Sequence, residues 1–210
     1  MLLGSEAVLS EEGLLAQPED LAEDPLSPLL RRIRGGDLEA FADLMAHTEG
    51  RVLGLAWRLL GDRHLAEDAA QETWLRVFRS LDRFRLGEPF QPWLLRITVN
   101  ACRDQMRKRG PLPLPAELLE RLEGNAQSLA ADEAVLVQQR RALLQRALVA
   151  LPEAQRAALV LRDLEGLSTE EAARILGVRP VTIRSQAATA RARLRAACAI
   201  LLQPAKGGRP

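Results

Sequence analysis

Pro111, Pro113 and Pro115 stand at every second position of the stretch "GPLPLPAEL". Proline has no amide hydrogen to donate and its ring clashes with the preceding helical turn, so neither a helix nor a central strand survives this spacing. The residue before each proline is pushed toward extended backbone as well. The chain is therefore expected to fold as two blocks separated by an extended linker over 110–131. Leu, Ala and Arg dominate both blocks, while aromatic residues make up only 3% of the chain; such a composition favours helix over sheet. The sequence predicts an all-α protein with helical domains over 29–109 and 132–203, preceded by an acidic, disordered extension over 1–28 and followed by a disordered tail over 204–210.

Within the first block, Gly35 and Gly36 form a break after which Asp37 can cap "LEAFADLMAHT". "GRVLGLAWRLLGD" follows and stops at Gly61, and Asp62 can cap a helix reaching about Leu81. Leu65, Ala69, Trp74, Val77, Phe78 and Leu81 can share its apolar stripe. Asp68, Gln71 and Glu72 fall at i, i+3 and i+4 and so share another face. Gly87, Pro89 and Pro92 then make Phe84–Gln91 a loop, with a helix from Trp93 to Lys108 behind it.

In the second block Pro152 can open a helix. "LSTEEAARILG" carries a capping box, Ser168 with Glu171 three residues on, and Gly177 as its stop. Pro180 suits the first turn of the last helix. Helix, short turn with glycine, and helix at this spacing is a helix-turn-helix. Ile183, Ala187, Ala190, Leu194, Ala197 and Leu201 repeat at steps of three and four and form a core stripe. Arg184, Ala188, Arg191 and Arg195 occupy another face, with Ser185 and Thr189 alongside. Short polar and Arg side chains near the start of such a helix suit base edges and phosphates in a major groove. A protein-binding helical hairpin with a wet basic face is the alternative.

The net charge of +1 conceals an asymmetry. Residues 1–30 hold seven acids and no Lys or Arg, which leaves 29 basic against 21 acidic residues in the remainder. Beyond Glu171 there is no acid and there are eight bases. An acidic start ahead of a basic end points to a polyanion partner, nucleic acid above all. The loop and helix over 84–109 add a second candidate surface. Phe84, Arg85, Phe90 and Trp93 bracket Gly87 and Pro89, and Asn100, Arg103, Arg107, Lys108 and Arg109 follow. Aromatic rings with cations suit unstacked bases. Phe90 and Trp93 are expected in the core, whereas Phe84 fits either the core or a base.

Other classes are disfavoured. Cys102 and Cys198 are too few and too far apart for a disulfide framework or a zinc site. His47 and His64 are isolated, and no glycine-rich phosphate loop occurs. No cofactor and no enzymatic activity are expected. No segment approaches the length of a membrane span, and the acidic start lacks the basic residues of a secretion signal, so a cytoplasmic protein with no membrane partner is expected.

Two stretches carry a family resemblance. "DRHLAEDAAQETWLRVFRSLDRFRLGEPFQPWLLRITVNACRDQMRKR" resembles region two of the extracytoplasmic-function (group IV) RNA polymerase sigma factors. "ALPEAQRAALVLRDLEGLSTEEAARILGVRPVTIRSQAATARARLR" resembles their region four. The likeness covers about residues 30–109 and 133–200. It implies a transcription initiation factor with core RNA polymerase and promoter DNA as partners, through the β′ clamp and the β flap, and an anti-sigma factor as a further partner. Asp68, Gln71 and Glu72 match positions that dock on the β′ coiled coil. Phe84, Arg85, Asn100, Arg103, Arg107, Lys108 and Arg109 match the −10 surface, with the loop holding a flipped base. Thr182, Arg184, Ser185, Ala188, Thr189 and Arg191 cover the −35 surface. The family often places larger or basic side chains where this chain has Gln186, Ala188 and Thr189, which implies weak base demand at −35. Rival readings are a helix-turn-helix regulator that never meets polymerase, and a sigma-derived adaptor. A plain regulator has no need of the acidic patch at 68–72.

Overall fold

Side-chain and glycine caps bound several of the helices. The structure, a computed structural model, describes residues 24–109 and 133–201. The expected acidic extension up to residue 23, the linker and the tail therefore lie outside the described residues. Among the described residues all regular structure is helical. The first domain comprises α1 (Ser27–Arg34), α2 (Leu38–Leu60), α3 (Arg63–Ser80), a 3₁₀ turn (Leu81–Arg83) and α4 (Phe90–Arg109). The second comprises α5 (Glu133–Val149), α6 (Glu153–Leu159) running into a π turn (Val160–Leu164), α7 (Thr169–Leu176) and α8 (Pro180–Leu201).

Each boundary has a local cause. The Asp37 carboxylate accepts the Ala40 amide at the start of α2, and Asp62 accepts the Leu65 amide at the start of α3; such caps contribute about 1 kcal/mol each. Gly50 does not interrupt α2, because propagation across one glycine costs only about 1 kcal/mol and the helix is buried on both sides of it. Ser168 and Glu171 complete their capping box, and Gly177 ends α7 in the left-handed region. α1 begins ahead of the expected domain edge: the segment from Asp24 to Pro28 belongs to the folded body.

The four helices of the first domain enclose a core built on Leu30, Leu44, Val52, Trp74, Val77, Phe84, Phe90 and Leu94. One stripe assignment changes. Phe78 is 54% exposed, its ring edge-on to Phe41 at 5.2 Å, and Thr73 and Ala70 fill the buried face instead. In α8, Ile183, Ala187 and Ala190 are buried and Leu194 is half-buried, as the periodicity predicts.

The two domains also share a core. Leu55, Leu59, Leu95, Val99 and Cys102 join Ala158, Leu161, Leu167, Ile175 and Ile183 in one apolar cluster. Gly61 makes this approach possible. Its φ is +70°, and a Cβ there would lie 2.3 Å from Val149 Cγ2. Polar bonds rim the apolar contact. Gln145 Nε2 donates to the Trp57 carbonyl at 2.6 Å. The Glu165 carboxylate, buried at the end of the π turn, takes Arg58 and, at 3.2 Å, Arg51 Nε. Arg156 is buried behind this contact and donates to the Val149 carbonyl at 2.9 Å; burial holds its pKa below the usual guanidinium value.

Candidate protein- and nucleic-acid-binding surfaces

Asp68 and Gln71 stand exposed on α3, and Glu72 is half-buried beside them. They form one wall of a groove of about 670 Å³ between α3 and α4. Leu75, half exposed, extends that wall with an apolar patch. The opposite wall carries Asp104, Gln105, Arg107 and Lys108. Acidic ledge and basic helix end thus face one another across a single groove, closer than the sequence implies. Arg76 bridges them, donating to Glu72 and to Asp104 at 2.7 Å each. Hydrogen bonds from Arg76, and then from Arg107, hold the Asp104 carboxyl below the usual carboxylate range. Asp68 and Gln71 therefore face solvent, whereas Glu72 is already partnered.

The loop between the 3₁₀ turn and α4 is built on its aromatic residues. Phe84 is 3% exposed, its ring edge-on to Phe90 at 5.4 Å and tilted against Trp93 at 5.2 Å. In this structure the ring pins the loop from beneath and has no free face for a base. Above it Arg85–Glu88 makes a β-turn, with the Glu88 amide donating to the Arg85 carbonyl at 3.2 Å. Gly87 at its third position has φ +95°, the conformation that a type II turn demands. Arg85, Leu86 and Glu88 are exposed at the tip. Leu86 escaped the sequence reading because a lone leucine in a loop carries no periodic signal.

Along α4, Asn100, Arg107 and Lys108 are exposed and Arg109 closes the helix. Arg103 is diverted: it donates to the Leu176 carbonyl at 3.3 Å and pairs with Glu153 at 4.0 Å, both in the other domain. On α8, Arg184, Ser185, Ala188 and Thr189 are exposed and Thr182 is half-buried. Thr189 and, further along, Arg191 are engaged. The Thr189 hydroxyl donates to the Ser185 carbonyl at 3.0 Å, and Arg191 Nε holds Asp163 at 2.8 Å. Arg184 and the Ser185 hydroxyl are the reaching groups on that face.

No group of three or more His, Cys, Asp or Glu able to hold a metal ion occurs among the described residues. No helix among them is long and apolar enough to cross a membrane.

Two domains of this kind, one with an acidic ledge beside a groove and one with a helix-turn-helix, define a sigma-type transcription protein. Residues 44–111 match the Sigma-70 region 2 family and residues 141–194 match Sigma-70, region 4. The extracytoplasmic-function sigma factor SigE of Mycolicibacterium smegmatis is 40% identical over 163 residues, covering 75% of this chain and 61% of that longer protein. The sigma-H factor of Pseudomonas aeruginosa is 32% identical over 192 residues, covering 88% of this chain and all of the relative. Among solved structures, CnrH in complex with the cytosolic domain of CnrY aligns with TM-score 0.59 at 26% identity, covering 83% of this chain and 97% of that one. RpoE in complex with the anti-sigma factor NepR from Bartonella quintana aligns with TM-score 0.58 at 27% identity, covering 76% and 97%. The chain belongs to the extracytoplasmic-function RNA polymerase sigma factors, a family of transcription initiation factors that as a class are not enzymes.

Proposed function

We propose that the exposed face of α3 grips the β′ clamp of core RNA polymerase through Asp68, Gln71 and Glu72, while the second domain meets the β flap. The observation that carries this is the solvent-facing pair Asp68 and Gln71 on the α3 wall of the groove. Such charges speed and orient encounter with a basic coiled coil more than they deepen final affinity. Asp68→Arg combined with Glu72→Arg tests it, with holoenzyme assembly measured by titration of labelled factor against core enzyme. Assembly at undiminished strength would remove the basis of this reading. Because Glu72 is already held by Arg76, Asp68 is expected to supply the larger share.

Promoter opening by this factor uses binding energy alone, in the cytoplasm and without a cofactor or catalytic residue. Separating duplex costs about 1.4 kcal/mol per stacked step, and extruding a base costs a few more. The −10 strand is captured by the loop tip at Arg85 and by Asn100, Arg107, Lys108 and Arg109, largely through salt-sensitive phosphate contacts. Arg103 joins them once it leaves Leu176 and Glu153, so DNA binding requires the two domains to part. Thr182, Arg184 and Ser185 face −35, with Ala188, Thr189 and Arg191 adding little base-reaching chemistry, which leaves −35 selection weak. The solved complex of RpoE with the anti-sigma factor NepR supports an anti-sigma partner for this chain as well.

A further inference from the structure

The −10 loop is held at both ends by one short helix outside the groove. Asp24 sits just ahead of α1. One of its carboxylate oxygens accepts the Leu26 amide at 2.9 Å and the other accepts the Phe90 amide, the first of α4, at 2.7 Å. Arg34, the last residue of α1, reaches the opposite end of the loop. Its guanidinium donates to the carbonyls of Leu81 and Asp82, at 3.3 Å each. Between them Leu30 is buried, and Leu26 and Ile33 pack on the cluster that contains Phe84 and Phe90. The span of α1 therefore fixes the separation of the loop's two ends, and the aromatic pin fixes its floor.

We propose that α1 is a template for the base-reading loop, with Asp24 and Arg34 as positioning residues that set how the Arg85–Glu88 turn is presented to the −10 strand. The inference rests on the loop being the −10 reader. The physical reason is preorganisation. A turn tied at both ends by charge-assisted hydrogen bonds keeps one geometry, so a correct base meets a formed pocket and a wrong one cannot induce its own. Freed from either tie, the turn samples several geometries and loses discrimination before it loses affinity. Phosphate contacts from Arg107 and Lys108 are remote from both ties and keep their strength.

The experiment uses the full chain with purified core RNA polymerase and a pool of promoters randomised through the −10 region, with transcripts sequenced to give base preferences. Asp24→Ala and Arg34→Ala are each expected to lower the ratio of best to worst base at loop-read positions by about fivefold, the worth of one hydrogen bond. Arg34→Lys, which keeps a cationic donor but lacks the planar fork and reach of the guanidinium, should recover part of the loss. Core affinity should be unchanged. Asp24→Asn, which keeps one acceptor, serves as the milder variant should alanine unfold the domain.

Unchanged preferences in these variants, while Arg85→Ala and Leu86→Ala do alter them, would overturn the template and leave the loop as reader. Unchanged preferences in the loop-tip variants as well would overturn both. A fall in core affinity equal to the fall in discrimination would mark general loosening of the domain and would also overturn the proposal.

Discussion

Arg58 of α2 donates to Glu165 of the opposite domain, and the carboxylate it meets is 2% exposed. Arg51 approaches the same carboxylate from the solvent side. Removing the acid leaves two neighbouring cations of α2 without their shared partner at the contact. A fully buried pair broken this way costs about 3–5 kcal/mol, and the partial exposure of both arginines reduces that to about 2 kcal/mol here. Cys102 supplies a reporter. It lies in the shared cluster, and burial pushes its thiol up to about 12, so it should be inert while the domains are closed. In a Cys198→Ser background, Glu165→Gln should accelerate labelling of Cys102 by a thiol reagent by about thirtyfold relative to the parent. Equal rates would show that closure does not depend on the carboxylate.

Gly61 tests the same contact by shape. Its left-handed conformation costs a side-chain-bearing residue about 1 kcal/mol, and the new Cβ would also strike Val149. Gly61→Ala should therefore lower stability by about 2–3 kcal/mol, the overpacking adding to the backbone cost. Val149→Ala removes the struck atoms but not the backbone cost. In a denaturant-unfolding cycle the double variant should be more stable than the sum of the single losses predicts, by about 1 kcal/mol. Strict additivity would place the entire effect in the turn.

The capping box gives a pH signature. The Ser168 hydroxyl, followed by the Ser168 amide, holds the Glu171 carboxyl below its usual 4.5. A depressed folded-state pKa contributes stability that is complete above the unfolded value and disappears as pH falls through the folded one. Glu171→Gln preserves a side-chain acceptor for the box but cannot titrate. The parent's urea midpoint should fall below pH 4.5 more steeply than the variant's. Parallel curves would mean that other carboxylates govern acid unfolding.

What the sequence made legible was local. Asp37, Asp62, Ser168 with Glu171, and Gly177 each act within four residues of themselves, and each stands where capping chemistry puts it. Contacts across the chain left no such trace: Glu165 and Arg58 are separated by 107 positions, and nothing in either neighbourhood names the other. Arg103 illustrates the consequence. Its place on α4 is plain from periodicity, whereas its engagement with Leu176 depends on how the domains pack. The exchange between Phe78 and Phe84 has a different cause. Helical period extrapolated from 65 to 81 puts Phe78 on the apolar stripe. The true stripe follows Ala66, Ala70, Thr73 and Val77, and the 3₁₀ turn after Ser80 swings Phe84 inward.

Neighbours at 84 and 85 should accordingly fail in opposite ways. Phe84 contacts two other rings from a fully enclosed site, so Phe84→Ala should cost about 3–4 kcal/mol of stability. Phe84→Leu, which retains most of the volume, should cost about 1 kcal/mol and leave promoter opening near that of the parent at low temperature. Arg85 has only the long contact to Glu88 at 3.9 Å, and its side chain is 85% exposed. Arg85→Ala should move the melting temperature little, in keeping with about 0.5 kcal/mol or less for a surface site, yet slow strand opening on a −10 template. Permanganate reactivity of unpaired thymines, followed in parallel with thermal melting, separates the two. If Phe84→Leu abolished opening at full stability, the ring itself would have to leave the core and meet a base; if Arg85→Ala left opening intact, the loop tip would lose its role as reader.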